Sequence, residues 1–250
     1  MTPTEPSPVG PEGAELPETG QPVLVLRPAE PEDADALALI HVLARRAAPM
    51  PETVHDEDDV RRWLRSRIET DETWVAEVDG LPVGYARWTP GWLDDLYVQP
   101  ARQGGGVGAA LLELVQARQP DGFCLWVFES NTPARGFYAR HGLLELERTD
   151  GSANEERAPD VRLVWPGAEP LACLRALVDE VDAQLGDLLA RRAALTRAIQ
   201  PFKTSSERDP ARERAVAEHL ATRAPALGLE RLERIAHVVI SESLDAAREV

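Results

Sequence analysis

Two stretches of this sequence place chemistry-bearing residues in a usable order. The first is Gln103-Gly104-Gly105-Gly106-Val107-Gly108, between an apolar run over Leu93–Val98 and a run with Val107, Leu111, Leu114 and Val115 at helical spacing. A turn from strand to helix leaves backbone N–H groups unpaired, and the helix dipole favours an anion there. Glycine lets a phosphate come close to such a backbone. The glycines lack dinucleotide-motif spacing and no P-loop lysine follows, so an anion cradle and a plain connection both stay open. Just before the turn stand Asp94 and Asp95. They could take a proton from an ammonium group, directly or through water, or be ordinary acidic residues at a strand end.

The second stretch is C-terminal. Leu174, Leu177, Val178, Val181, Leu185, Leu188, Leu189, Leu195 and Ile199 recur at helical spacing, with Arg192 seven residues after Leu185 and Lys203 eleven after Arg192. At about 100° per residue, both steps return to within about 20° of one face. A cation on an apolar stripe is costly unless it is paired or binds an anion, although a long side chain can also reach solvent. Lys203 is the only lysine in the chain.

The elements that must hold these residues follow from pattern. Val23–Arg27 reads as a strand, and helices follow with Leu37, Ile40, Leu43 and Ala44, then Val60, Trp63, Leu64 and Ile68. Trp74–Val78 and Pro82–Trp88 flank Asp79-Gly80-Leu81, a hairpin signal. Phe123–Phe128 reads as a further strand, and Asn131-Thr132-Pro133 as a helix cap with proline in the first turn. From residue 171 the pattern is helical throughout: a long helix to about Lys203 that Pro201 should kink or end, a second after an Asp209 N-cap and Pro210, and a third over about 230–248. Three such helices rarely close a core alone, and so long a helix usually packs on a partner subunit.

Composition sets the frame. The 250 residues carry 43 acidic and 27 basic side chains, a net charge of −16, which argues against a sequence-independent grip on nucleic acid. Residues 171–250 hold 12 basic and 13 acidic residues, so nearly all the excess acid precedes Pro166-Gly167-Ala168-Glu169-Pro170. That shift marks a boundary: a Pro/Glu-rich disordered tail over 1–21, one domain over 22–166, a linker over 167–170 and a helical domain over 171–250. No apolar run nears the roughly 20 residues of a membrane span, and no signal segment leads the chain, so a soluble cytoplasmic protein is expected. Cys124 and Cys173 read as packed thiols. His41, His55, His141, His219 and His237 take no metal-ligand spacing and read as structural, and no metal is expected. Trp63, Trp74, Trp88 and Trp126 read as core.

Leu96 through Gly108, with a Gln-x-x-Gly-x-Gly core at Gln103, Gly106 and Gly108, resembles the acyl-CoA pyrophosphate loop of GNAT-superfamily N-acetyltransferases. Asn131 through Gly142 resembles that superfamily's second conserved segment, and both lie in the expected order. The resemblance implies an α+β fold with a mixed, mostly antiparallel sheet, and acetyl-CoA as co-substrate. It implies that backbone amides of Gln103, Gly104, Gly105, Gly106, Val107 and Gly108 cradle the pyrophosphate. The Val98 backbone would hold the thioester end in a splay between strands, and Asn131 would contact the pantetheine arm. Tyr138 would protonate the departing thiolate, or simply pack its helix on the sheet, and Asp94 is the candidate base. The acceptor amine is unspecified.

Arg175, Asp182, Arg192, Lys203, Asp209, Arg212, Glu213 and Ser243 fall in an order resembling the all-helical class of chorismate mutases, over essentially the whole of 171–250. The resemblance implies a dimer whose sites are shared. Arg192 would grip one carboxylate and the partner subunit's Arg175 the other. Lys203 would donate to the ether oxygen, Arg212 would support the site, Glu213 and Asp209 would take the ring hydroxyl, and Ser243 would lie near the ring carboxylate. The rearrangement is pericyclic, so clamping and charge stabilisation suffice. One position departs: four residues after Ser243 the family usually presents glutamine or glutamate, and here stands Ala247. The expected whole is a bifunctional enzyme on a secondary-metabolite or aromatic amino-acid route, a chorismate mutase joined to an acetyl-CoA-dependent N-acetyltransferase, and a homodimer. The alternatives are a mutase for 4-amino-4-deoxychorismate, a non-catalytic ligand-sensing module, or a plain dimerisation domain.

Overall fold

The computed structural model describes residues 23–203 and 209–248, so the expected tail over 1–21 and Arg208 of the helical motif lie outside the described residues. The chain divides into two compact units, Met1–Pro170 and Leu171–Val250.

The first unit is a seven-stranded sheet with helices on both faces. Its strands are β1 (Leu24–Pro28), β2 (Glu72–Val78), β3 (Leu81–Thr89), β4 (Trp92–Val98), β5 (Phe123–Phe128), β6 (Leu144–Thr149) and β7 (Asp160–Trp165), in spatial order β1-β2-β3-β4-β5-β7-β6. All neighbours pair antiparallel except β4 and β5. Asp79 and Gly80 both take positive φ, 55° and 77°, and turn β2 into β3 with the twist that a two-residue hairpin needs. Alternate residues of the central strands serve two cores. Val75 and Tyr85 pack with Leu37, Ile40 and Leu64 of α1 (Ala34–Ala47) and α2 (Glu57–Ile68). Ala76 and Ala86 join the core built on Leu111, Leu112 and Val115 of α3 (Val107–Arg118), beside Tyr138 of α4 (Thr132–Arg140). Each such leucine or valine removed from water contributes about 1.5–3 kcal/mol.

The sequence pattern places most of these elements, but β6 and β7 are additions it does not anticipate. Trp126, read as core, is instead 43% exposed.

The second unit consists of α5 (Pro170–Ile199), α6 (Pro210–Arg223) and α7 (Leu229–Arg248). Helices α6 and α7 pack on each other, burying Ala217, Leu232, Ala236 and Ser243. Helix α5 contains no buried residue. Leu171, Leu174, Val178, Val181, Leu185, Leu188, Arg192, Leu195 and Ile199 alternate by three and four residues along it, an a/d repeat with an arginine in one a position. Pro201 acts as expected: the α-helix ends at Ile199 and a short 3₁₀ turn, Gln200–Phe202, follows. Lys203 is therefore extended backbone beyond the helix, and the helical-angle argument that set it on the Arg192 face does not hold. Among the described residues, no helix is long and apolar enough to cross a membrane.

The β6–β7 loop is held in one shape by local bonds. Asn154 bonds Ala158 in both directions, and Asp160 accepts from Asn154 Nδ2 at 3.0 Å. A Cβ on Gly151, whose φ is 75°, would stand 2.1 Å from the Ala158 carbonyl oxygen. Gly151→Ala is thus expected to destabilise the first unit by at least about 2 kcal/mol, read as a lowered urea midpoint at unchanged slope.

Candidate active site

The cleft of the first unit starts from one strand pair. Strands β4 and β5 meet through Trp92 opposite Cys124, with Cys124 N–H donating to the Gly91 carbonyl at 2.9 Å, and share no further pair. Beyond that point they part. On the other edge of β4, Arg87 of β3 stands opposite Asp95 and Trp88 opposite Leu93, which leaves Asp94 as the extra residue of a bulge. A bulge bends a strand and re-aims its side chains. Here both Asp94 and Asp95 line the opening between the strands, a cleft of about 280 Å³. Asn131, the N-cap of α4, and Tyr138, in its last turn, line it as well.

At the C-terminal end of β4 the chain turns through the glycines into α3. Gly104 and Gly106 have φ of 79° and 85°, and a Cβ on either would meet no atom within 4 Å. Their glycine identity therefore preserves a left-handed backbone and open space above the loop, not an internal packing contact. Gln103 Nε2 donates to the Val98 carbonyl at 3.1 Å and pins the loop to the strand. A helix start leaves its first N–H groups without partners inside the helix, so the beginning of α3 beside this turn is suited to an anion such as a pyrophosphate. Asn131 has a prior commitment: its Oδ1 accepts from Ala134 N–H at 3.3 Å and caps α4.

Behind the cleft lies a buried ion network. Arg87 donates to Asp95 and Asp71, both at 2.6 Å, approaches Asp94 at 3.7 Å, and stacks its guanidinium 4.6 Å from the Trp63 ring. Burial pushes the Asp95 carboxyl above its usual range, while the Arg87 charge opposes the rise. Asp94 is more open and accepts from Thr89 Oγ1 at 3.0 Å. Of the two carboxylates considered at the sequence level, Asp95 is consumed by Arg87 and Asp94 retains the freer oxygens.

Four cleft residues are invisible to the sequence reading. His41 of α1, read as structural, lines the cleft, with Nδ1 2.8 Å from the Tyr85 hydroxyl and its ring 4.3 Å from that of Tyr97. Burial, then the charges of Arg45 and Arg87, lower its pKa to about 3, so it is neutral. Arg45 binds Glu156 of the β6–β7 loop at 2.7 Å with both side chains mostly buried. Burial, then the charge of Asp95, raises the Tyr97 pKa to about 12, and the Arg45 charge opposes the rise. The Tyr138 hydroxyl is raised further by burial and has no hydrogen-bond partner among the described residues. A phenol so raised holds its proton at neutral pH and can donate it.

In the second unit the structure joins only some of the expected residues. Arg192 Nη1 donates to Ser243 Oγ at 2.6 Å and to the Val239 carbonyl at 3.1 Å, tying α5 to α7. Arg175 lies 17 residues earlier on α5, about 25 Å along the axis, and is exposed. Asp209 is occupied as the N-cap of α6, accepting from Ala211 and Arg212 N–H at 3.0 and 3.1 Å. Glu213 stands 4.0 Å from His237 beside a shallow pocket, while Lys203 and Arg212 are exposed. Ala247 sits one turn beyond Ser243 on α7.

Known proteins resemble the two units separately. The acetyltransferase (GNAT) domain model matches residues 69–142, and the chorismate mutase type II model matches residues 174–248. An uncharacterized N-acetyltransferase of Archaeoglobus fulgidus is 31% identical over 147 residues, 52% of this chain and 99% of that protein. The peptidyl-lysine N-acetyltransferase YiaC of Escherichia coli is 31% identical over 101 residues, 40% of this chain and 67% of that protein. The crystal structure of a candidate phosphinothricin N-acetyltransferase, 21% identical, superposes with a TM-score of 0.50 over 59% of this chain and 100% of that one, a likeness of fold.

The buried histidine makes the stability pH-dependent. The folded chain refuses a proton that an unfolded histidine accepts below its usual 6.5, so His41's contribution is complete above that pH and is lost as pH falls toward 3. The loss is at most about 1.4 kcal/mol per pH unit. Thermal unfolding between pH 6.5 and 5 is expected to show this slope, and His41→Gln to flatten it.

Proposed function

We propose, from the premise that this chain belongs to the GNAT N-acetyltransferase family and carries a type II chorismate mutase domain, that it is a bifunctional enzyme. Its first unit would transfer an acetyl group from acetyl-CoA to an amine, and its second would rearrange chorismate or an aminated analogue. The observation that carries the first reading is the open glycine turn set at the end of a strand that parts from its neighbour.

Bound acetyl-CoA would supply an acetyl thioester. The N–H groups from Gln103 to Gly108 would hold the pyrophosphate, and the β4–β5 opening beside Val98 is where an extended arm fits. Gly104 and Gly106 support this reading, since a side chain there would fill the space a phosphate needs. Tyr138 would hold its proton at the departing sulfur. Asp94 would take the ammonium proton, directly or through water, because its oxygens are the less committed of the adjacent pair.

In the helical unit, arginine suits a dicarboxylate because its fork meets a carboxylate in two places. Arg192 is half-buried and already bonded to Ser243 of α7. The exposed a/d stripe on α5 supports a dimer of two copies joined along that helix. The midpoint between residues 175 and 192 falls within about one residue of the midpoint of α5, so an antiparallel pairing about the centre would bring the partner subunit's Arg175 to Arg192. Ala247 favours a second reading, a helical unit that binds its ligand without converting it. A missing donor at a developing charge costs about 100- to 1000-fold in rate.

Three outcomes are expected. Tyr138→Phe should lower kcat for CoA release by about 100-fold, the general-acid scale, with little change in KM for acetyl-CoA. Chorismate consumption, followed by absorbance, should vanish with Arg192→Ala and rise at least about tenfold with Ala247→Gln. No turnover before or after restoring glutamine would leave the binding module. Light scattering should give twice the chain mass, and Leu185→Glu should halve it.

A further inference from the structure

Gly104 and Gly106 keep space open above the turn, and a glycine outside the turn lets the chain close up beneath it. Gly84 is buried in β3, opposite Ala76 of β2 on one side and Val98 of β4 on the other. Tyr85 packs into the core of α1 and α2, so position 84 falls on the other face, toward α3. A Cβ on Gly84 would stand 3.0 Å from the Tyr97 carbonyl oxygen, 3.2 Å from Val107 Cγ1 and 3.3 Å from Val98 Cγ2. Carbon atoms pack best at about 3.5–4.0 Å, so these approaches are too short. Gly84 is not among the glycines of positive φ. Space excludes a side chain there, and backbone angle does not.

None of the three neighbours yields by itself. The Tyr97 oxygen belongs to the backbone of β4, and Val98 and Val107 are buried and branched at Cβ, which leaves them little rotamer freedom. A methyl group at position 84 therefore moves an element: it lifts the first turn of α3 or displaces the end of β4. Both carry the anion cradle. Val107 is the first residue of α3, directly after the left-handed Gly106 N-cap. The end of β4 is tied to β3, where Gln99 N–H donates to the Val83 carbonyl at 2.8 Å, and to the turn through Gln103 Nε2 on the Val98 carbonyl. Gly108, inside the motif, is less confined, since a Cβ there would meet Phe137 and Val98 at 3.7 Å, an ordinary contact. The tight approach beneath α3 is made from β3.

We infer that Gly84 is a positioning residue for acetyl-CoA: by admitting Val107 against the strand it sets the first turn of α3 relative to the end of β4, and so the fit of the Gln103–Gly108 amides to the pyrophosphate. This rests on the acetyl-transfer reading. Gly84 touches no substrate and acts through Val107, Val98 and the Tyr97 carbonyl. Moving one side of the cradle lengthens and misaligns its N–H···O bonds, which weaken steeply once bent. A plain packing role would change stability and leave affinity in the folded protein alone, so the two are read separately.

The test titrates acetyl-CoA, and separately CoA, into the full chain by calorimetry, with thermal unfolding to show that each variant is folded. Gly84→Ala should raise both Kd values about tenfold, a displacement effect on a preorganised site, and equally, because the two probes share the pyrophosphate. In the Val107→Ala background, where the crowded methyl is gone, the same substitution should raise them less than about threefold, since the two changes meet at one contact. If Gly84→Ala alone does not fold, the double variant should fold and match Val107→Ala within about threefold. Unchanged affinity in folded Gly84→Ala, a loss confined to acetyl-CoA, the same loss in both backgrounds, or a double variant that does not fold overturns the inference. Binding of neither probe by the unsubstituted protein instead overturns the acetyl-transfer reading, and the inference falls with it.

Discussion

Strands β4 and β5 share one residue pair, Trp92 with Cys124, and then diverge. A parallel pair that stays closed would offer no opening in the middle of a sheet. Because it opens, backbone that would bond a neighbouring strand is left facing a cleft, and side chains from α1, β4, β5, α4 and β7 converge there. The bulge at Asp94 adds curvature on one side, and α4 closes the other with Asn131 and Tyr138. The glycine turn lies just past the end of the same strand, so anion cradle and cleft are fixed relative to each other by β4 itself.

Holding the bulge takes charge in an interior that resists it. Arg87 is buried, and a lone guanidinium there would be strongly unfavourable. Asp71 and Asp95 at 2.6 Å and the face of Trp63 offset that cost. The arrangement leaves Asp94 less engaged than its neighbour. The helical unit applies the same logic more sparingly: Arg192 occupies an a position of α5 and satisfies itself on Ser243 and Val239, while the apolar positions around it remain uncovered within one chain. A helix with that stripe exposed is half of an interface.

Much of this was readable from residues, and the reasons are local. Gln103–Gly108 declares itself because a strand, a glycine turn and a helix start are encoded within twenty residues. Asp209-Pro210 announces its helix for the same reason. His41, Arg45 and Glu156 were not readable, since they reach the cleft from α1 and from a loop more than a hundred residues later. Strand β6 escaped because it is an edge strand exposed on both faces, so its apolar residues bury nothing. Lys203 was misplaced because helical angle was carried through Pro201, where the 3₁₀ turn breaks the count. Trp126 looked like core by size alone, yet it stands on the strand face beside the opening.

The central claim is that the glycine turn and the opening between β4 and β5 form one acetyl-CoA site. Calorimetric titration of acetyl-CoA into the full-length protein tests it most directly. The account predicts saturable binding of one molecule per chain, greatly weakened when Gly106→Val puts a branched side chain into the open space above the turn while thermal unfolding shows the protein still folded. Absence of saturable binding to folded protein, or equal binding by the Gly106→Val protein, would contradict it.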